Sequence, residues 1–215
     1  MLFKKNETII FIGDSITDCG RFKPAGEGCL PANPYGNGYV ALSFAYLRAK
    51  YPHLHLRIIN QGTDGDRSAD ILRRYSDIIL YKPDWVIVMI GVNDVWRYFD
   101  CPEIKEIHVD CTAYRQNLES IIKQNKENDI KTIFLSPFII ETNPQDAMRQ
   151  MLDVYRAAMH QLTQKYGLHY VDIQKSFDLL LQEITGYELS RDRIHPNIVG
   201  HMVILQTLID YIESR

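Results

Sequence analysis

The feature that most constrains this chain is residues 8–18, where an apolar run ends abruptly in the tripeptide Gly13-Asp14-Ser15. The run, residues 9–12, is β-branched and aromatic, and it is apolar on both faces. It predicts a strand buried inside a parallel sheet. Ligands of open α/β sheets bind beyond the carboxyl ends of the strands, and Ser15 stands at such an end. Ser15 is therefore a candidate nucleophile, although Gly-Asp-Ser is also common turn chemistry and serine often caps a helix.

Length and charge narrow the class of protein. The chain has 215 residues and a formal net charge of −3, which indicates one globular domain, residues 1–215. It has no basic run and no basic amphipathic helix, so we expect neither nucleic acid nor a membrane as a partner. The longest apolar stretch, residues 85–92, is too short to span a membrane. The first residues lack the long apolar segment of a secretory signal, and we therefore expect a cytoplasmic protein.

Cysteine usage indicates neither a disulfide framework nor a metal site. Cys19, Cys29, Cys101 and Cys111 contain no C-x-x-C pair, and in a cytosolic chain we expect them to be reduced and structural. Cys101, His108 and Cys111 could be imagined as zinc ligands, but their spacing matches no common site and a fourth ligand is missing. We therefore predict neither a metal nor a cofactor.

Apolar segments and helical patterns alternate along the chain. Strands are predicted at residues 8–13, 55–60, 85–90, 131–136 and 168–172. Helices are predicted at residues 39–50, 69–79 and 110–128, over a stripe from Met148 to Tyr166, and up to Leu181. A last helix is predicted to start at Pro196, with a buried stripe of Ile198, Met202, Leu205, Ile209 and Ile212. This alternation predicts a parallel sheet with right-handed crossovers and helices on both faces.

Polar groups and glycines follow the predicted strands. Ser15 follows the first strand, a glycine turn at residues 60–66 follows the second, and Asn93 follows the third. Asp192 and His195 come last, three residues apart, before the final helix. A D-x-x-H turn can hold the carboxylate against Nδ1 of its own imidazole, so that Nε2 faces Ser15. These residues together predict nucleophilic acyl transfer.

Acyl transfer also needs fixed donors for the negative charge of the tetrahedral intermediate. The candidates are the backbone N–H groups of Ser15 and Gly65 and the side-chain amide of Asn93. Glycine fits at position 65 because its backbone can approach a substrate closely. Each residue taken alone has a structural explanation: Asn93 could brace a turn, His195 could enter a helix, and Asp192 could be a surface charge. The combination at successive strand ends favours the catalytic interpretation.

Four segments of the chain resemble the motif blocks of the SGNH (GDSL-type) hydrolases, and the resemblance spans nearly the whole chain. The segments are residues 13–15, the glycine turn with Gly65, residues 91–94 and residues 192–196. The resemblance implies a flavodoxin-like, three-layer α/β/α fold with a five-stranded parallel sheet in the order 2-1-3-4-5. It also implies a catalytic triad of Ser15, Asp192 and His195, with an oxyanion hole formed by Ser15, Gly65 and Asn93.

The second of these segments departs from the common pattern of the family. Gly65 matches the family position better than Gly62, and Asp64 stands where a small residue is usual. The chain also contains no G-x-S-x-G, so the sharp nucleophile elbow of α/β-hydrolases is not expected.

Within the family, the chain is most similar to intracellular carbohydrate acetyl esterases that deacetylate xylo-oligosaccharides. Residues 11–21, 91–97, 192–196 and 200–202 carry that similarity. It implies a serine esterase that removes short acyl groups, above all acetyl, from a small-molecule sugar ester; homo-oligomerisation stays open. The alternatives are a lysophospholipase or thioesterase of the same family, and a non-catalytic sugar- or nucleotide-binding module. The binding module should carry a Gly-rich phosphate loop, which this chain lacks.

Four residues are candidates for binding the substrate: Asp14, Trp96, Arg97 and Tyr98. Residues 96–98 follow Asn93, and a long Gly- and Pro-rich loop, residues 19–38, follows Ser15, so both should rim the pocket. An aromatic face packs well against the C–H face of a pyranose, and Arg97 can donate hydrogen bonds to hydroxyls. Trp96 and Tyr98 could equally be core or subunit-interface residues.

Overall fold

A parallel sheet forms the centre of the protein. The computed structural model describes residues 1–22 and 33–215, and within them five strands pair in the order β2-β1-β3-β4-β5. Every pairing is parallel, and Ile10 of β1 lies between Ile59 of β2 and Val86 of β3. The strands are β1 (Thr8–Gly13), β2 (Arg57–Gly62), β3 (Trp85–Met89), β4 (Lys131–Leu135) and β5 (His169–Val171). The predicted sheet and strand order are confirmed.

Helices cover both faces of the sheet. Helix α9 contacts both α2 and α8, and α3, α5, α6 and α7 form a second group. Residues 9–12 of β1 and 86–88 of β3 are fully buried, because a central strand with helices on both sides has no solvent-facing side. The helices are α1 (Ser15–Asp18), α2 (Tyr39–Lys50), α3 (Ser68–Arg73), α4 (Tyr75–Leu80), α5 (Val92–Asp100), α6 (Cys111–Glu127), α7 (Ala147–Tyr166), α8 (Ile173–Leu180) and α9 (Ile198–Glu213).

The helix predicted over residues 69–79 is two helices. The backbone leaves the helical conformation at Arg74, whose guanidinium donates to the Asp66 carboxylate at 2.8 Å and to the Gln61 carbonyl at 2.9 Å. The break shifts the helical phase, and the buried apolar residues of the two helices are Ile71, Tyr75 and Ile78. A further helix, α5, was not predicted; it begins directly after the third strand and carries Asn93.

The last helix starts later than predicted. Asn197 is its N-cap, with its side-chain oxygen accepting from the N–H groups of Val199 at 3.0 Å and Gly200 at 3.3 Å. Asn is a strong N-cap residue, so Pro196 lies outside the helix and the prediction for Pro196 is wrong. The buried stripe also differs: Ile198 and Met202 are 58% and 50% exposed, while residues 204 and 208 are buried.

Two further predictions concern loops and cysteines. Most of the loop predicted at residues 19–38, with Cys29, lies outside the described residues. In the described part, Cys19, Cys101 and Cys111 are free thiols.

Among residues 1–22 and 33–215, no helix combines the length and the apolar character needed to cross a membrane.

Candidate active site

The turn from β1 into α1 presents Ser15. Gly13 ends the strand, and a Cβ atom there would lie 2.2 Å from the Thr17 hydroxyl and 2.4 Å from the Met89 carbonyl oxygen. The Asp14 carboxylate then caps the short helix by accepting from the Ile16 N–H at 3.0 Å. Because no side chain fits at Gly13 and Asp14 closes the turn, Ser15 becomes the first residue of α1 with its hydroxyl directed away from the core.

Ser15, His195 and Asp192 form a continuous chain of hydrogen bonds. The Ser15 Oγ lies 2.8 Å from the His195 Nε2, and the His195 Nδ1 lies 2.7 Å from the Asp192 Oδ2. An ionised carboxylate can only accept, so Nδ1 carries the ring proton and the neutral imidazole presents an unprotonated Nε2 to the serine hydroxyl. The structure therefore brings together the three side chains that the sequence predicted.

Asp192 is held ionised by the loop around it. Partial burial opposes ionisation, but hydrogen bonds from the His195 imidazole, the His195 and Ile194 N–H groups and the Ser190 hydroxyl hold its pKa well below the usual range. Arg193, in the same loop, has a positive φ of 69°, and its guanidinium pairs with Glu141 at 2.6 Å and Asp146 at 2.9 Å. These ion pairs anchor the loop while the neighbouring residues face Ser15.

The two glycines of the turn after β2 have different roles. Gly62 is structural: a Cβ atom there would lie 2.2 Å from the Asp18 nitrogen. Gly65 has a φ of +77° and open space around its Cα, so its backbone conformation rather than crowding favours glycine. The turn is fixed to β1, because the Thr63 N–H donates to the Gly13 carbonyl at 3.0 Å. This arrangement leaves Gly65, rather than Gly62, exposed at the edge where Ser15 lies.

The Asn93 amide is held from both ends. Asn93 is 1% exposed; its Nδ2 donates to the Asp66 carbonyl at 3.0 Å, and its Oδ1 accepts from the Arg97 Nη2 at 3.1 Å. Since arginine is only a donor, it fixes which end of the amide is oxygen. A carboxamide nitrogen has two N–H groups, so one N–H remains for a substrate after the bond to Asp66.

The three residues after Val95 fall into two groups. The Trp96 ring meets the His195 ring edge to face, with centroids 5.8 Å apart, and the Arg97 guanidinium lies 5.0 Å from the Trp96 ring centroid. Arg97 also pairs with Asp100 one turn later. Tyr98 faces elsewhere and stacks on His108 with centroids 4.2 Å apart. Trp96 and Arg97 therefore border the Ser15–His195–Asp192 group, whereas Tyr98 packs on His108.

Asp14 belongs to a pair of buried carboxyl groups beneath the site. It is 1% exposed, and burial, aided by repulsion from Asp94 and Asp66, raises its pKa to about 7. Burial likewise raises the pKa of Asp94 to about 6, although that carboxylate accepts from both the N–H and the hydroxyl of Ser68. A side chain so buried and engaged in capping does not fit the predicted contact between Asp14 and the substrate.

Two supporting residues were not singled out from the sequence. Asn60 is fully buried; its Nδ2 donates to the carbonyls of Thr17 at 2.7 Å and Tyr35 at 2.9 Å, which ties α1 to the end of β2. The Arg21 guanidinium donates twice to the Gly62 carbonyl, at 3.0 and 2.9 Å. Asn60 opens the glycine turn and Arg21 ends the segment over residues 11–21. Their position in these motif segments was the sequence signal that could have identified them.

Among residues 1–22 and 33–215, no three His, Cys, Asp or Glu side chains lie close enough together to hold a metal ion. The His108 Nε2, considered above as a ligand atom, instead lies 3.0 Å from the Arg97 carbonyl and 3.2 Å from that of Cys101.

Comparison with known proteins assigns the family. The model of the GDSL-like lipase/acylhydrolase family matches residues 11–203. This chain belongs to that family. It is 40% identical to an acetylxylan esterase of Geobacillus stearothermophilus, over 100% of both chains. The resemblance stated from the motif segments is thereby confirmed.

Solved structures of GDSL-family relatives and of another hydrolase superpose closely. The crystal structure of the Geobacillus stearothermophilus acetylxylan esterase has a TM-score of 0.95 at 40% identity, covering 99% of this chain and 96% of that one. A catalytic serine-to-alanine mutant of the same esterase has a TM-score of 0.95 at 39% identity, with the same coverage. An α/β hydrolase from the metagenome of Lake Arreo, Spain, has a TM-score of 0.96 at 40% identity, covering 99% and 98%.

Proposed function

We propose that this protein is a serine esterase that removes acetyl groups from carbohydrates, with xylo-oligosaccharides as the preferred class. The observation that carries the proposal is the hydrogen-bonded chain from Asp192 through His195 to Ser15, with the oriented amide of Asn93 nearby. Ser15 is the nucleophile, His195 the general base and acid, and Asp192 the residue that fixes the imidazole tautomer. Ser15, Gly65 and Asn93 supply the donors of the oxyanion hole.

The reaction follows from these roles. The His195 Nε2 takes the Ser15 proton as Oγ attacks the ester carbonyl carbon, and the carbonyl oxygen becomes an oxyanion that the three donors stabilise. The imidazolium then gives its proton to the departing sugar oxygen, which leaves an acetyl-Ser15 ester. A water molecule, deprotonated by the same nitrogen, hydrolyses that ester and releases acetate. No step needs a metal or a cofactor.

The relatives support an acetylated sugar as the substrate. The Geobacillus stearothermophilus enzyme is an acetylxylan esterase, also described as an acetyl-xylooligosaccharide esterase, and it matches this chain along its full length. Trp96 adds an aromatic group beside His195. A cytoplasmic enzyme that acts on imported oligosaccharides is part of the proposal, because four cysteines without a C-x-x-C pair are typical of a chain from a reducing compartment.

An acyl-chain series tests the substrate class. We expect kcat/KM to fall from acetyl to butyryl to octanoyl esters of one alcohol, and we expect acetylated xylo-oligosaccharides to be cleaved. Ser15→Ala should lower kcat by at least about a thousandfold while circular dichroism and the melting temperature stay near those of the wild type. A preference for octanoyl esters would favour a lipid or thioester substrate. A folded Ser15→Ala protein that keeps most of its activity would exclude this nucleophile.

A further inference from the structure

The turn between Asp192 and His195 determines where the imidazole points. The Asp192 Oδ1 accepts from the N–H groups of Ile194 at 2.9 Å and His195 at 2.8 Å. Arg193 lies inside this turn with a φ of +69°, a left-handed conformation that is unfavourable for a residue with a Cβ atom unless its surroundings hold it. The bonds to Asp192 lie within the turn, so they fix its shape but not its position relative to Ser15. That position depends on contacts with other parts of the chain.

The loop that follows β4, residues 136–146, holds Arg193 at both its backbone and its side chain. The Arg193 carbonyl accepts from the Ile140 N–H at 2.9 Å. The Arg193 Nη1 donates to the Glu141 Oε2 at 2.6 Å and to the Asp146 Oδ2 at 2.9 Å. We call residues 136–146 the β4 loop. Because the β4 loop binds both parts of Arg193, the turn cannot shift without breaking at least one of these contacts.

The two carboxylates of the β4 loop are themselves fixed. The Glu141 Oε1 accepts from the Asn143 N–H at 2.8 Å, and the Asp146 Oδ1 caps α7 by accepting from the Arg149 N–H at 2.9 Å. Burial and repulsion from Asp146 raise the pKa of Glu141, but hydrogen bonds from Asn143 and Arg193 hold it below its usual value. Without the guanidinium, the two carboxylates would repel each other across an empty space.

The bond between Ser15 and His195 joins two separately anchored segments. Ser15 follows β1, the residues that hold Arg193 follow β4, and β3 lies between these two strands. The Ser15 Oγ and the His195 Nε2 are 2.8 Å apart, and the proposed reaction moves a proton between them. Displacement of a reacting group by about 1 Å can slow a reaction by about a hundredfold. The anchoring of the turn therefore bears directly on the rate.

We propose that Arg193 is a positioning residue that bridges the two carboxylates of the β4 loop and so holds the turn where the His195 Nε2 meets the Ser15 hydroxyl. This inference rests on the proposed esterase activity and adds a residue that acts on the reaction through His195. Its loss should lower kcat rather than raise KM, because it alters the geometry of proton transfer and not the binding of the ester.

Two substitutions that remove the guanidinium but differ in backbone preference test this role. On 4-nitrophenyl acetate, Arg193→Gln should lower kcat about tenfold to a hundredfold and change KM by less than about twofold. Arg193→Asn should keep a kcat at least about threefold higher than that of Arg193→Gln, since asparagine adopts the left-handed conformation more readily. Arg193→Lys should stay within about threefold of the wild type, because one ammonium group can donate to both carboxylates.

A double-mutant cycle with Asp146→Asn distinguishes positioning from general destabilisation. Asparagine retains the N-cap of α7 but not the charge, so Asp146→Asn alone should lower kcat. In the Arg193→Gln background it should leave kcat unchanged or raise it, because it removes the repulsion from Glu141. Lys50→Gln is the matched control: it removes an ion pair with Glu213 at 2.9 Å from a side chain 47% exposed, against 43% for Arg193, and kcat should not change.

Labelling of Ser15 by a sulfonyl fluoride gives a readout that does not depend on the ester. Its rate should fall in Arg193→Gln by about the same factor as kcat, because the same imidazole activates the hydroxyl. An unchanged kcat, additive losses in the cycle, or equal kcat values for Arg193→Gln and Arg193→Asn would overturn the positioning role and leave the esterase in place. Full kcat in both Arg193→Asn and Asp146→Asn would do so even if Arg193→Gln did not fold. If the wild type neither hydrolyses 4-nitrophenyl acetate nor is labelled at Ser15, the proposed function itself fails.

Discussion

Replacing Arg97 with methionine should weaken the oxyanion hole without removing a residue of the triad. Arg97 holds the Asn93 Oδ1 at 3.1 Å, and its own position is set by the ion pair with Asp100 and by the ring of Trp96. Methionine keeps much of the side-chain length but removes every donor. The Asn93 amide would then keep only the bond from its Nδ2 to Asp66, and nothing would fix its oxygen end.

The expected fall in kcat follows from the loss of the hydrogen bond between Arg97 and the Asn93 Oδ1. A hydrogen bond to a charged group contributes about 1.5–3 kcal/mol, and this one is largely shielded because the Arg97 side chain is 21% exposed. A complete loss of one oxyanion donor costs about 3–4 kcal/mol, which is the upper limit for an effect transmitted through Asn93. We therefore expect Arg97→Met to lower kcat by about tenfold to a hundredfold. KM should change by less than about twofold, because the interaction strengthens as the oxyanion forms.

A double-mutant cycle with Asn93→Ala provides the assay. Steady-state kinetics on 4-nitrophenyl acetate give kcat for the wild type, Arg97→Met, Asn93→Ala and the double variant. If Arg97 acts by orienting the Asn93 amide, Arg97→Met should have an effect below about twofold once that amide is absent. The cycle therefore measures the coupling between the two side chains directly.

Matched controls distinguish a role of Arg97 in positioning Asn93 from a general destabilisation of the folded protein. Arg73→Met removes another i,i+3 ion pair with an aspartate, at 3.0 Å to Asp70, on a helix that carries no proposed catalytic group, and it should leave kcat unchanged. Arg97→Lys keeps the charge but not the planar fork and should give an intermediate kcat. Additive losses in the cycle would refute the positioning role of Arg97. A change confined to KM would instead restore Arg97 to the substrate-contact role predicted from the sequence.

Two further predictions concern the buried carboxyl group and metal independence. Asp14→Asn keeps the cap but removes a carboxyl group whose pKa is raised by burial from 3.8 to about 7. In the wild type, ionisation of this carboxyl destabilises the folded state progressively as pH rises from 5 to 7, and the loss levels off at higher pH. Urea unfolding should show the variant gaining on the wild type by on the order of 2 kcal/mol over that interval; a pH-independent difference would contradict the assignment. Exhaustive chelation should leave kcat unchanged, and an activity restored by one divalent ion would refute side-chain-only catalysis.

Much of the fold could be predicted from local patterns. Residues 9–12 and 86–88 are apolar on both faces, and such strands are stable only between two helical layers, which dictates a parallel sheet. The helix over residues 39–50 was predicted with its observed ends, because Gly38 and Pro52 bound it in the sequence. The break at Arg74 was not foreseeable, since it depends on partners at residues 61 and 66 that only folding brings near.

The candidate site likewise contains residues that the sequence identified and details that only the structure explains. Ser15, Asn93, Asp192 and His195 were identifiable because each stands at a strand end or in a short turn where sequence neighbours determine the local geometry. The sequence already favoured Gly65 over Gly62 for the oxyanion hole, but the reason that position 62 is glycine needed the structure, because the Asp18 backbone packs against Gly62 and not against Gly65.

The sequence by itself determined which groups are present and along which strands they arrive, because hydrophobic periodicity and turn chemistry act over a few residues. Only the tertiary structure decided what those groups do. Arg97 binds the Asn93 amide, and Asp14 is buried as a cap. Such roles depend on contacts between residues far apart in the chain, and local sequence patterns do not specify which distant residues come together.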